Sequence, residues 1–233
     1  MNSEELTAEM ARVTGKEVIL MFSMGKESIA CYYQLKKHFE KVHLVYKYLH
    51  PNLSFIQDSI HYFEDKWGEK IHQIPSPALY RMINEYIYQT PETVDIIDSL
   101  NLPNHKHEHY DEWLPQDLNC PNAFRAIGVR ASDSPTRAMV IRKFGSVNFK
   151  KRHFYPIFDW NIEDLKNCLR DNNVKLPVDY EMWGKSFDGI DYRFIKPLKE
   201  RFPADYEKLK ELFPLLDLEI MRYEQIWYYP AGG

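Results

Sequence analysis

The residues best suited to chemistry lie early in the chain, where the sequence reads Phe22-Ser23-Met24-Gly25-Lys26-Glu27-Ser28. They sit between an apolar run and a helical pattern. A helix N-terminus offers unpaired N–H groups and the positive end of the helix dipole, so anions bind there readily. Gly25 lets the backbone approach a phosphate with no Cβ in the way. Ser23 and Ser28 supply hydroxyl donors, and Lys26 supplies positive charge. Glu27 adds a carboxylate of the kind that holds magnesium, a hard cation with oxygen ligands. The spacing is not that of Walker A, nor that of the dinucleotide fingerprint, because Gly25 stands alone. The plainer reading is an ordinary strand-to-helix turn with a serine cap.

A second group follows about a hundred residues later, in Ile127-Gly128-Val129-Arg130-Ala131-Ser132-Asp133-Ser134-Pro135-Thr136-Arg137. Arg130 and Arg137 flank a loop that runs into a helix, and two guanidinium groups beside one helix N-terminus suit a second anion. Asp133 is placed to orient one of them. The plainer reading is a surface ion-pair cluster. A third block, His153-Phe154-Tyr155-Pro156-Ile157-Phe158-Asp159-Trp160, reads mainly as core, with Asp159 shaping a loop. His105, His107 and His109 alternate near Asp111 and Glu112, and are read as part of a polar loop in preference to a metal site.

Elements that would carry these groups are legible. Residues 3–13 read as a helix capped by Asn2, with Glu5 three places on. Glu17–Phe22 reads as a buried strand, 26–39 as a helix, 42–49 as a strand, 54–67 as a helix and 70–74 as a strand. This βαβαβ order implies a parallel sheet covered by helices. Residues 78–99 are expected to be helical and 101–118 to form a long polar loop. Further strands are expected at 126–130 and 153–157, and helices at 135–143 and 161–172. Beyond Pro177 the pattern breaks into short helical pieces around Pro197, Pro203 and Pro214. The expected fold is α/β: a Rossmann-like open parallel sheet of about five strands with helices on both faces. The expected domains are 1–175 for the nucleotide and 176–233 as a C-terminal helical cap on the same core.

Composition narrows the classes. The chain has 233 residues, 44% hydrophobic and 27% charged, which is ordinary globular usage. A formal charge of -4 does not suit a dedicated nucleic-acid binder. Basic and aromatic residues do alternate between Lys185 and Arg201, a mix able to track a nucleic-acid backbone, but Asp188, Asp191 and Glu200 among them favour a solvated face. Cys31, Cys120 and Cys168 are scattered and form no metal-ribbon or disulfide pattern. The acidic start and the lack of a long apolar run point to a cytoplasmic protein with no membrane partner.

The three segments together resemble the phosphoadenosine phosphosulfate (PAPS) reductase-like branch of the PP-loop, or adenine nucleotide α-hydrolase, superfamily. Ser23, Gly25, Lys26 and Ser28 match its S-G-G-K-D-S signature, while Met24 replaces the first glycine and Glu27 the aspartate. Gly128, Arg130, Asp133, Ser134 and Arg137 match its second block, and Pro156, Ile157, Asp159 and Trp160 its third. The resemblance implies ATP and Mg2+ as cofactors. It assigns the phosphates to Ser23–Ser28, adenine to backbone near Tyr46, Lys47 and Tyr48, and charge neutralisation to Lys26, Arg130 and Arg137. The reductases' C-terminal cysteine motif has no counterpart here, since no cysteine follows Cys168. That favours ATP cleavage to AMP and pyrophosphate, with adenylation of an unknown acceptor, nucleic acid included. The alternatives are sulfonucleotide reduction, or a silent nucleotide-binding regulatory subunit working with a protein partner or as a homodimer.

Overall fold

The computed structural model describes residues 1–104 and 107–228, and their side chains apart from those of residues 107–109, 111 and 226–228. The histidine group therefore falls outside the described residues at His105, and outside the described side chains at His107 and His109. Two compact units share the chain. One takes residues 1–47, 60–74 and 107–177; the other takes the described residues within 48–59, 75–106 and 178–233.

The first unit is built on a sheet. Helix α1 (Ser3–Thr14) starts at a capping box: the Asn2 side chain accepts from the Glu5 N–H, and the Glu5 carboxylate accepts from the Asn2 N–H. Strand β1 (Glu17–Met21) carries Val18, Ile19 and Leu20, all fully buried. Alternate residues of a strand face opposite ways, so both faces of β1 are covered. Helix α2 (Lys26–Lys36), strand β2 (Lys41–Tyr48), helix α3 (Ser54–Trp67) and strand β3 (Ile71–Pro75) follow. Phe22 meets the rings of Phe63 and Trp67 edge-on, each at 5.3 Å, and Tyr32 stacks on Trp67 at 3.8 Å. Such pairs add roughly 0.5–1.5 kcal/mol each beyond the area they bury.

The stretch expected as one helix over 78–99 is two, α4 (Pro77–Asn84) and α5 (Pro91–Leu100). Tyr86 and Tyr88 have φ of 55° and 53° between them, which no helix tolerates, and Pro91 restarts the chain at the first helical position. The expected loop over 101–118 is largely helix α6 (His107–Asp117). Its polar composition hid a stripe of Tyr110, Leu114 and Leu118, four residues apart, which packs on Ile19, Val45 and Ile74 of the sheet.

Strand β4 is Phe124–Ala126, earlier and shorter than expected; the Ile127 N–H still donates to the Phe154 carbonyl at 3.1 Å, and residues 128–130 run on outside the ladder. A 3-10 turn at Ala131–Asp133 leads into α7 (Pro135–Phe144), and β5 (Val147–Asn148) turns back on β6 (His153–Phe154) as an antiparallel pair that sequence did not suggest. Helix α8 (Ile162–Asp171) is capped by Asn161, as its sequence implies. The sheet has six strands in the order β3-β2-β1-β4-β6-β5, with β1 parallel to both β2 and β4. The fold is α/β of Rossmann-like type. No helix among the described residues is long and apolar enough to cross a membrane.

The second unit holds α4, α5 and the C-terminal helices α9 (Val178–Trp183), α10 (Tyr192–Arg201), α11 (Pro203–Leu212) and α12 (Asp217–Tyr228). The basic run in it is neutralised locally. Lys185 pairs with Asp188, Arg193 with Asp191, Lys196 with Glu224, Lys199 with Asp217 and Arg201 with Glu181. Asp179 is buried with one oxygen on the Phe187 N–H at 2.8 Å and the other without a partner among the described residues. Burial pushes its carboxyl up to about 6, against the two backbone N–H groups that favour the ion. The folded state then holds a proton that the unfolded chain, titrating near 4, has lost. Stability therefore falls as pH rises from about 4 to about 6, by at most roughly 3 kcal/mol. Asp179→Asn keeps an acceptor for Phe187, and is expected to flatten that slope and to raise the melting temperature at pH 7. Melting curves of both proteins across pH 4–7 check this.

Candidate functional site

The chain leaves β1 toward β2 on one side, while β4 lies on the other. Strand order reverses there, and the crevice beyond such strand ends is where open α/β sheets bind ligands. Both sequence-predicted segments meet at this point. The Phe22 N–H still donates to the Val45 carbonyl at 2.8 Å, and the chain then turns away through Ser23 and Met24. Gly25 is the N-cap of α2 with no side-chain capping bond. The Ser28 hydroxyl donates to the Gly25 carbonyl at 2.9 Å and lies 3.3 Å from the Ser23 hydroxyl, which holds the turn closed on itself.

Sequence placed the special backbone at Gly25, but it belongs to Met24. Gly25 has an extended φ of -74°, whereas Met24 has φ of 58°. For a non-glycine residue this left-handed geometry costs roughly 1–2 kcal/mol. Met24 offsets that cost by burying its side chain almost completely, at 2% exposure. Glycine, which the resembled signature has at this position, would adopt the turn freely but fill none of that space.

Gly128 packs directly against the loop. A Cβ there would lie 3.1 Å from the Glu27 carbonyl carbon and 3.2 Å from the Ser28 nitrogen, tight enough that the backbone would have to give by a few tenths of an ångström. This contact holds the end of β4 against the first turn of α2. Two residues on, Arg130 is 6% exposed, with its guanidinium 2.7 Å from Asp133 and 3.4 Å from Glu27. Asp133 also takes Arg137 at 2.6 Å and the Arg130 N–H at 3.0 Å. Sequence gave Asp133 one arginine to orient; it holds both, because it stands three residues after one and four before the other. The Ser134 side chain caps α7 by accepting from the Arg137 N–H at 3.2 Å. The Arg130 Nε is buried with no hydrogen-bond partner among the described residues. A buried donor without a partner costs roughly 1–3 kcal/mol, which makes Nε a candidate to meet a ligand, a water or an ion.

Lys26 reaches Glu27 at 3.9 Å, so the Glu27 carboxylate faces two cations, Lys26 and Arg130. The residues expected to lie near adenine end β2: Tyr46 is buried, and the Lys47 ammonium sits 5.3 Å from the centre of the Tyr110 ring. Tyr48 opens the second unit, and its carbonyl accepts from the Ser76 N–H at 2.8 Å. In the third block, Asp159 accepts from the Ser3 N–H at 3.1 Å and from the Ser3 hydroxyl, so it anchors the start of α1.

No protein-family model matches the sequence. No curated protein sequence matches it either. Solved structures do. PAPS reductase from Candida auris, solved as a phosphate complex, superposes with a TM-score of 0.52 over 81% of this chain and 88% of that one, at 12% identity. The chain shares the fold of that enzyme. Two further similar structures are the U34-tRNA thiolase NcsA of Methanococcus maripaludis (TM-score 0.45, 12% identity, 92% of this chain and 78% of that one) and the NH3-dependent NAD synthetase of Campylobacter jejuni (TM-score 0.48, 12% identity, 99% and 95%).

Gly128 is the residue that allows the end of β4 to approach the turn after β1. Gly128→Ala is expected to push the loop off the strand end by a few tenths of an ångström. Overpacking of this kind costs roughly 1–3 kcal/mol. The loss of loop geometry is expected to weaken anion binding at least tenfold, which titration of the variant with a nucleotide measures.

Proposed function

We propose that this chain binds ATP at Ser23–Ser28 and cleaves it to AMP and pyrophosphate, transferring the adenylyl group to an acceptor. The observation that carries this reading is the buried Arg130 guanidinium, with an Nε lacking a partner among the described residues, set beside a helix N-terminus that has no side-chain cap. In this reading the N–H groups opening α2, with Ser23, Ser28 and Lys26, take the pyrophosphate end of the nucleotide. Arg130 and Arg137 neutralise charge on the α-phosphate or on the acceptor. An acceptor oxygen attacks the α-phosphorus, the α–β phosphoanhydride breaks, and the acceptor's proton passes to solvent. Positioning and charge neutralisation are what such a displacement asks of a protein. Backbone at Tyr46–Tyr48 would receive the adenine. Magnesium would enter with the nucleotide on its phosphate oxygens. Glu27, which faces Lys26 and Arg130, holds Arg130 in this reading.

Thiol-based reduction of a sulfonucleotide fits less well. The thiolate is the nucleophile in such chemistry. Burial raises all three thiols: Cys31 well above the ordinary range, Cys120 to about 11, and Cys168 more modestly. The test is release of pyrophosphate and AMP from ATP in the presence of carboxylate, phosphate and nucleic-acid acceptors. Stoichiometric AMP transfer to one of them supports adenylation. A folded, ATP-binding protein that releases no pyrophosphate with any acceptor would instead be a regulatory subunit.

A further inference from the structure

A second cluster of reactive side chains lies at the opposite end of the sheet from the phosphate loop. Glu17 opens β1, and His43 stands in β2 opposite Ile19 in the parallel register. Glu17 and Ile19, two apart, face the same side of the sheet. This is the side on which α6 packs through Tyr110, Leu114 and Leu118, and Cys120 belongs to the same buried cluster. One carboxylate oxygen of Glu17, one imidazole nitrogen of His43 and the Cys120 sulfur all lie within 4.8 Å of one another. The Glu17 Oε2 to His43 Nε2 separation is 3.3 Å. Ligand bonds of about 2.0–2.3 Å set at tetrahedral angles put neighbouring donors roughly 3.3–3.7 Å apart. The pair is thus already at ligand spacing, and the sulfur has about an ångström to close.

We propose that Glu17, His43 and Cys120 form a zinc site that clips the turn before β4 to the first two strands. The donor set is the one zinc selects: a thiolate, an imidazole and a carboxylate, with a fourth tetrahedral position for water. Mg2+ and Ca2+ take oxygen donors and would not use the sulfur.

Backbone geometry positions the donors. Strand register fixes the backbones of Glu17 and His43. Cys120 is fixed by its own backbone, whose N–H donates to the Pro115 carbonyl at 2.8 Å and whose carbonyl accepts from the Ala123 N–H at 2.9 Å. Binding of a dication at these three donors releases the thiol proton to solvent. His72 and Asp117 lie close enough to influence the rim: burial first and then His43 lower the His72 pKa, while Asp117 raises it. The site is separate from the phosphate loop, since β1 spans about 13 Å between them, and the inference does not depend on the nucleotide reading.

Cobalt reports the site directly, because a thiolate bound to Co2+ gives a near-ultraviolet charge-transfer band. Full-length protein, stripped with a chelator and titrated with Co2+, is expected to bind one equivalent with that band and to lose it on adding Zn2+. Cys120→Ser is expected to remove the band and weaken binding at least a hundredfold. His43→Gln and Glu17→Gln are each expected to weaken it at least tenfold, whereas Cys168→Ser and Lys26→Ala leave it unchanged. No thiolate band on wild-type protein at millimolar Co2+ overturns the proposal, as does a band that survives Cys120→Ser. Should Cys120→Ser fail to fold, Glu17→Gln, at a more exposed position, decides: unchanged affinity there and in His43→Gln also overturns it.

Discussion

Arg130→Ala is expected to abolish nucleotide binding and to lower the melting temperature by on the order of 10 °C. The side chain is 6% exposed and its guanidinium touches two carboxylates, Asp133 at 2.7 Å and Glu27 at 3.4 Å. Removing one member of a buried ion pair leaves the other charge stranded, at roughly 3–5 kcal/mol. Asp133 keeps Arg137 and a backbone N–H, so most of the penalty falls on Glu27 and on the space left behind. Glu27 sits in the first turn of α2, and the loop would relax with it. Arg130→Lys separates charge from geometry. An ammonium keeps the sign but lacks the planar guanidinium and its Nε donor. The lysine variant is therefore expected to recover part of the stability and little of the binding. Thermal melting of the three proteins, with and without ATP, gives both quantities. Wild-type melting and wild-type ATP affinity in Arg130→Ala would remove this residue from the site.

Asp205→Ala is expected to be the most damaging single change in the second unit, at roughly 3–4 kcal/mol. Asp205 is 1% exposed, and one of its oxygens accepts from both the Ser54 N–H and the Ser54 hydroxyl at 2.7 Å. The other oxygen takes Lys208 at 2.8 Å. A carboxylate from α11 thus caps the start of α3, where the sequence supplies no capping box of its own. Burial alone would raise this carboxyl, but Lys208 and Ser54 together bring it below the ordinary range. The alanine variant strands two donors and an ammonium group. Asp205→Asn retains an acceptor for Ser54 and loses only the Lys208 pair, so it is expected to cost less than half as much. Denaturant unfolding of the two variants checks the ratio, and equal costs would mean that the ion pair, not the cap, dominates.

Much of the site was legible because its physics is local. The run Val18–Leu20 reads as a strand because it is apolar on both faces, and the turn after it carries the residue types an anion needs. Arg130 and Arg137 stood out as paired guanidinium groups on a loop. What sequence could not give was their convergence. Nothing in Gly128 announces that its Cα must lie against Glu27 and Ser28, and nothing in Met24 announces a left-handed backbone where glycine would be natural. The misreadings have similar causes. Helix α6 and the residue that follows it bury Tyr110, Leu114 and Leu118 among histidines, acids and a proline, so the polar face outvoted the buried stripe. The 78–99 helix breaks where two tyrosines take positive φ, a conformation set by their surroundings. Strands of two or three residues, such as β4 to β6, carry too little alternation to mark their ends. The grouping of Glu17, His43 and Cys120 depends on strand register and could not be read from residues so far apart in sequence.

ATP binding to wild-type protein and to Lys26→Ala, followed by thermal melting, is the most direct test of the central claim. A ligand at about 100 times its dissociation constant adds roughly 2.7 kcal/mol, a shift of several degrees for a chain of this size. Wild-type protein is expected to show that shift with ATP and magnesium and not with GTP. Lys26→Ala is expected to melt like wild type without ligand and to show no shift with it. An unshifted wild type with every adenine nucleotide, or a full shift retained in Lys26→Ala, would contradict a nucleotide site at Ser23–Ser28.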